Sequence, residues 1–240
     1  MSLRHTLATL ALGPLLLAQG KRVRREVPTL PEPKGERQGT LGSGPDLRLL
    51  VLGDSAAAGV GADTQDRALT GRLAESLAPT FRLHWRLLAF TGATTADLLR
   101  RLAKEPATRF DVVVTSLGVN DVTGRLSLDT WRRQQLALVD LLRERCGADH
   151  IVLSALPPMH RFPALPQPLR WYVGARARDF NRVLAELARE RPGCDYLELE
   201  HGTMDVSAMA GDGFHPGPPL YELWAREAAR RLNDYKKEKP

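Results

Sequence analysis

Apolar runs at 47–52, 83–90, 112–117, 151–155 and 196–199 alternate with segments where apolar side chains recur every three to four positions, near 66–78, 95–104, 128–145, 169–190 and 217–233. The runs have strand length and the spaced segments have helical period, so strand and helix follow one another throughout. Such alternation predicts a parallel sheet with helices on both faces. Val112-Val113-Val114 leaves no polar side for solvent and reads as a strand buried on both faces. Ser127 and Asp129 offer N-cap chemistry before the third helix, and Pro216 is tolerated in the first turn of the last. The expected architecture is α/β, a three-layer α/β/α sandwich around a five-stranded parallel sheet of flavodoxin-like character. No internal repeat is visible.

The pattern divides the chain into an apolar leader (1–20), a linker (21–46), one domain (47–235) and a short basic tail (236–240). With 43% hydrophobic and 26% charged residues among 240, one domain with a sizeable core fits and a second does not. The leader joins Arg4 to an apolar stretch from Leu7 to Ala18, resembling the front of a secretory signal, yet Lys21-Arg22-Val23-Arg24-Arg25 follows at once. Flanking positive charge opposes simple export. A cleaved signal or periplasmic anchor, an interfacial membrane segment through residues 1–25 and a leader without an address all stay open, with a periplasmic or membrane-associated protein favoured over a cytoplasmic one. The linker is expected to be extended, holding Pro28, Pro31, Pro33 and Pro45.

Net charge is +6, which raises the question of nucleic acid. Residues 1–40 carry seven basic and three acidic side chains and residues 231–240 four and two, so the excess lies in the tails and the domain is neutral. Charge therefore gives no support for a nucleic-acid partner. The two cysteines, Cys146 and Cys194, fit no zinc or redox spacing; each precedes a strand run, so two reduced thiols are expected and a disulfide requires export. Neither is a credible nucleophile.

Chemistry concentrates in Asp212-Gly213-Phe214-His215-Pro216, where a carboxylate precedes a histidine by three positions. A general base needs such an orienting partner. The serine it would activate is Ser55, in Gly53-Asp54-Ser55 at the C-terminal mouth of the first strand run, the edge at which open α/β sheets bind ligands. Gly118-Val119-Asn120-Asp121 follows the third run, and the Asn120 amide could donate to a developing oxyanion. Asp54 and Asp121 are expected to order their loops. His5 falls in the leader; His84 and His150 are expected at the surface or a strand edge, and His201 could line the cleft but lacks a partner.

These blocks, with the glycine of Thr91-Gly92-Ala93-Thr94, resemble in order the four blocks of the SGNH hydrolases, or GDSL esterases and lipases. The resemblance covers about residues 47 to 232. It departs from the family pattern at Ala56, where the name implies leucine, a position outside the catalytic set. It implies the SGNH fold, a Ser55-His215-Asp212 triad, and an oxyanion hole made by the backbone N–H groups of Ser55 and Gly92 with the Asn120 amide.

The expected activity is hydrolysis of small to medium carboxylic esters, a small-molecule substrate, through an acyl-enzyme. Thioesterase or lysophospholipase activity and sugar O-acetyl ester hydrolysis are variants on the same machinery. A catalytically silent, membrane-tethered binding module should lack one of the five key residues, and all five are present. No G-x-S-x-G elbow, H-E-x-x-H motif, metal-ligand spacing or phosphate loop occurs, so neither metal nor cofactor is expected. Specificity is expected in the proline-rich loop at 157–172. There Met159, Phe162, Leu165 and Trp171 supply apolar surface for a substrate pocket or, alternatively, close the core, and His160 belongs to the same loop. Oligomeric state is not legible.

Overall fold

The computed structural model describes residues 3–124, 126–199 and 206–238. The chain opens with helix α1 (Leu3–Glu26), edge strand β1 (Gln38–Leu41) and strand β2 (Asp46–Gly53), which ends in the single turn of α2 (Ser55–Ala58). It continues through α3 (Leu69–Leu77), β3 (Arg82–Ala89), α4 (Thr95–Lys104), β4 (Val112–Ser116), α5 (Val119–Thr123) and α6 (Leu128–Cys146). It closes with β5 (His150–Ser154), α7 (Leu169–Glu190), β6 (Cys194–Leu197) and α8 (Pro218–Glu238). The sheet order is β1-β3-β2-β4-β5-β6, with every pair parallel except β1 with β3.

Alternation along β2 shows why the sheet is covered twice. Leu47, Leu49 and Val51 belong to one apolar core with residues of α3 and α8, while Leu50 and Leu52 belong to another with residues of α4, α6 and α7. Residues one apart in a strand point to opposite faces, so an unbroken apolar run needs a helical layer on each side. The three-layer α/β/α architecture follows. Helix ends obey local chemistry: Thr94 and Asp97 form a capping box on α4, Ser127 caps α6 by accepting from the Thr130 N–H, and Gly147 ends α6 in the left-handed conformation. Pro218 and Pro219 occupy the first turn of α8, so Pro216 lies just ahead of it.

The sheet has six strands where five were expected. The extra strand, β1, comes from the stretch read as an extended linker; its Gln-Gly-Thr-Leu sequence has no apolar alternation because an edge strand lying largely in solvent needs none. Helix α1 also runs through the boundary drawn at residue 20, ending at Glu26. Leu16 is buried in the α4, α6 and α7 core, Leu12 and Val23 pack against that core, and Gln19 donates to the Gln167 carbonyl while accepting from the Leu169 N–H. Helix α1 and strand β1 thus lie on the domain. Among the described residues no helix is long and apolar enough to cross a membrane.

Cys146 is buried and Cys194 half-buried, both are free thiols, and burial pushes both pKa values up. His84 lies on the β1 side of the sheet, where its Nε2 meets Asp46 Oδ1 at 3.0 Å. His150 is buried at the start of β5, stacked on Tyr235 at 4.1 Å between centroids.

Candidate active site

Omitting β1, the parallel strands run β3-β2-β4-β5-β6, and connections leave β2 toward β3 on one side while β4 lies on the other. The gap between the ends of β2 and β4 is the topological switch point where such sheets bind ligands. Register carries the predicted residues to that gap. Gly53 pairs with Ala89 on one side and Ser116 on the other, so Ser55, Gly92 and Asn120 leave the sheet two, three and four residues beyond aligned positions. A side chain at Gly53 would strike the Ser116 carbonyl at 2.3 Å, which explains glycine before the serine turn.

Ser55 opens α2. Asp54 caps that turn by accepting from the Ala56 N–H at 3.1 Å, leaving Ser55 Oγ free to face the cleft. His215 Nε2 stands 2.9 Å from Ser55 Oγ, and His215 Nδ1 stands 2.5 Å from Asp212 Oδ2. With Nδ1 donating to the carboxylate, Nε2 is left to accept from the hydroxyl. The other Asp212 oxygen accepts from the N–H groups of Phe214 and His215 at 2.9 and 3.0 Å, so the carboxylate is fixed at both ends. Burial pushes the Asp212 pKa up, but hydrogen bonds from the His215 ring and from the backbone N–H groups of His215 and Phe214 outweigh it and hold the group below the ordinary carboxylate range.

Gly92 sits at the third position of a four-residue turn closed by the Ala93 N–H donating to the Phe90 carbonyl at 3.0 Å. Its φ of +81° matches a type II turn, which requires glycine there. A Cβ built on Gly92 meets nothing within 4 Å, so the residue opens onto free space. Asn120 lies in the first turn of α5 and donates one amide hydrogen to the Ala93 carbonyl at 3.0 Å, leaving the other available. Neither the Ser55 nor the Gly92 N–H has a hydrogen-bond acceptor among the described residues. Asp121 is buried and accepts from the Thr95 N–H and hydroxyl, which ties the β4 loop to the start of α4.

Two carboxyls are perturbed the other way. Burial of Asp54 pushes its pKa up to about 7 against the opposing Ala56 hydrogen bond and the nearby His215 charge; burial likewise raises Asp121 above its ordinary value. The sequence gives each an ordering role but no sign of such a shift, because desolvation depends on what the fold lays over the strand ends.

A cleft leads from Ser55 and His215 across the ends of β5 and β6, between α7 and α8, walled by Leu117, Leu156, Phe162, Leu197, Leu199 and Trp224. Of the four side chains expected to form a pocket in the 157–172 loop, Phe162 lines this cleft. Met159 and Leu165 are buried in the core beneath the loop, and Trp171 is 44% exposed on the outer surface. The difference arises because the loop folds inward: Asn181 of α7 accepts from the Leu156 N–H and donates to its carbonyl, pinning the start of the loop to the helix. His160 also lines the cleft, and His201 lies outside the described residues. No group of three or more His, Cys, Asp or Glu among the described residues could hold a metal ion.

Glu32 was missed in the sequence. It accepts from both the N–H and the hydroxyl of Thr91, beside Gly92. Its position inside a proline-rich stretch gave no signal.

Known proteins resemble this chain in sequence and in fold. A GDSL-like esterase of Mycobacterium tuberculosis is 25% identical over 252 residues, covering 94% of this chain and 78% of its own. Among solved structures, an acetylxylan esterase from Geobacillus stearothermophilus superposes with a TM-score of 0.59 at 19% identity, covering 79% of this chain and 95% of its own. The psychrotrophic esterase EstA from Pseudoalteromonas sp. superposes with a TM-score of 0.57 at 20% identity, covering 79% and 98%. The model of the GDSL-like lipase/acylhydrolase family matches residues 51–223. That span runs from β2 through the first turns of α8 and includes every block read from the sequence, so the chain belongs to the GDSL-like lipase/acylhydrolase family and is a carboxylic ester hydrolase of the SGNH fold.

Proposed function

We propose that the chain is a serine esterase that cleaves small to medium carboxylic esters through an acyl-enzyme on Ser55. The observation that carries this is the unbroken relay from Ser55 Oγ to His215 Nε2 and from His215 Nδ1 to Asp212 Oδ2. As Ser55 Oγ bonds to the ester carbonyl carbon, its proton passes to His215 Nε2, and Asp212 stabilises the imidazolium. The carbonyl oxygen, now an oxyanion, is held by the Ser55 and Gly92 N–H groups and the free amide hydrogen of Asn120. Collapse breaks the carbon–oxygen bond to the alcohol, which leaves with the proton from His215. Water then repeats the sequence: its proton goes to His215, its oxygen to the acyl carbon, and the acid departs as Ser55 Oγ regains a proton.

The apolar wall of the cleft favours an alkyl or acyl chain there rather than a sugar. Hydrolysis of p-nitrophenyl acetate, butyrate and octanoate by the wild type and Ser55→Ala tests the reading. Loss of turnover in Ser55→Ala, with a wild-type mass increase equal to one acyl group after rapid quenching, is the expected result; equal rates refute the mechanism.

A further inference from the structure

Of the three oxyanion donors in the proposed mechanism, the Gly92 N–H is the one whose direction the local turn does not fix. Type I and type II turns differ by a flip of the central peptide, here Thr91-Gly92, and glycine at the third position adopts either. A flip would swing the Gly92 N–H away from the side it now faces. Something outside the turn must hold Thr91, whose φ and side-chain rotamer set the frame from which that peptide points.

Glu32 does so. Its Oε1 accepts from the Thr91 N–H at 2.9 Å and from the Thr91 hydroxyl at 2.7 Å, gripping backbone and side chain together. Its Oε2 accepts from Arg37 Nη1 at 2.8 Å, and Arg37 Nη2 donates to the Ala89 carbonyl at the end of β3. The carboxylate is therefore anchored to the strand from which the turn springs. The residues around it are fastened as well. The Lys34 carbonyl accepts from the Gln65 N–H at 2.8 Å, and the Leu87 N–H donates to the Arg37 carbonyl at 2.7 Å. Pro33 stands over Gly59, so that a side chain at Gly59 would meet its ring at 2.8 Å. Gly59 closes the turn that begins with Ser55. One short segment thus touches both the nucleophile's turn and the oxyanion turn, and it lies ahead of residues 51–223 that match the family.

We infer that Glu32 is a positioning residue of the esterase: by holding Thr91 it fixes the Gly92 N–H toward the oxyanion. This rests on the assignment of Gly92 as a donor in the proposed mechanism. The role belongs to the transition state, because the oxyanion exists only there, so its loss should lower kcat and leave KM nearly unchanged.

The test is steady-state hydrolysis of p-nitrophenyl butyrate by the full-length wild type, Glu32→Ala, Glu32→Gln, Thr91→Val and the Glu32→Ala/Thr91→Val double variant, each checked for native circular dichroism. Glu32→Ala should lose about tenfold in kcat with KM within about twofold, a fraction of the effect of deleting a donor outright. Glu32→Gln, whose amide oxygen still accepts from Thr91, should recover to within about threefold of wild type, and Thr91→Val should lose about threefold. The double variant should be no slower than Glu32→Ala, since both changes cut one contact. A folded Glu32→Ala with wild-type kcat, or a Glu32→Gln as slow as Glu32→Ala, overturns the inference. If Glu32→Ala does not fold, a wild-type kcat in Thr91→Val overturns it instead. Ser55→Ala and Asn120→Ala run beside these separate two failures. Full activity in both refutes the mechanism itself, whereas their loss with Glu32→Ala intact refutes only the positioning role.

Discussion

Asp54 and Asp212 flank the same histidine and respond to pH in opposite senses. Asp212 is held below the ordinary carboxylate range, so its contribution to stability is complete above about pH 4 and is lost as pH falls through its folded value. Asp54 is raised to about 7, so the folded state prefers it protonated. Its contribution is fullest below about pH 4 and disappears as pH rises through 7. Urea unfolding of the wild type and Asp54→Asn at pH 5, 6, 7 and 8 should show the wild type losing up to about 1.4 kcal/mol per pH unit relative to the variant between 5 and 7. Parallel profiles would show that Asp54 stays ionised in the fold. For Asp212→Asn, the imidazole loses the partner that sets its tautomer, and kcat should fall by about 1,000- to 10,000-fold with folding retained. For Asn120→Ala, loss of one donor should lower kcat about 100- to 1,000-fold, measured on p-nitrophenyl butyrate. Residues 55, 120, 212 and 215 could be singled out in the sequence because the proposed chemistry demands their types. Glu32 was not, because a glutamate among prolines looks like any solvated linker residue until β3 is folded beside it.

At the scale of elements, the five parallel strands were legible because burial on both faces forces continuous apolar runs. β1 escaped because an edge strand is recognised by its neighbour and not by its own pattern. The loop between β5 and α7 was half legible: its apolar residues are plain in the sequence, but their division between core and cleft depends on how Asn181 of α7 folds the loop inward. That division has measurable consequences. Phe162→Ala should shift the chain-length preference across p-nitrophenyl acetate, butyrate and octanoate, because Phe162 walls the cleft. Met159→Ala and Leu165→Ala should instead cost about 2–5 kcal/mol each in urea unfolding and leave the preference unaltered. A changed preference in the latter two would contradict their place in the core.

At the scale of the molecule, α1 lies against the domain through Leu12, Leu16 and Val23, with Thr9 and Gln19 hydrogen-bonded to Tyr172, Gln167 and Leu169. Leu16→Asp would bury an unpaired charge there, and thermal unfolding should drop by about 10 °C with kcat within about twofold of wild type. An unchanged midpoint would mean that α1 does not stay docked in solution. The sequence by itself determined the five parallel strands, the helices that alternate with them and the doubly covered sheet, and it named the candidate reacting groups, because each of these depends on residue type and short-range period. Only the tertiary structure decided that Ser55 and His215 meet at 2.9 Å across 160 positions, that Glu32 reaches Thr91 beside Gly92, and which side chains of the proline-rich loop face the cleft. Those outcomes rest on register, burial and contact between distant segments, quantities that belong to pairs of residues brought together by the fold and to no single stretch of chain.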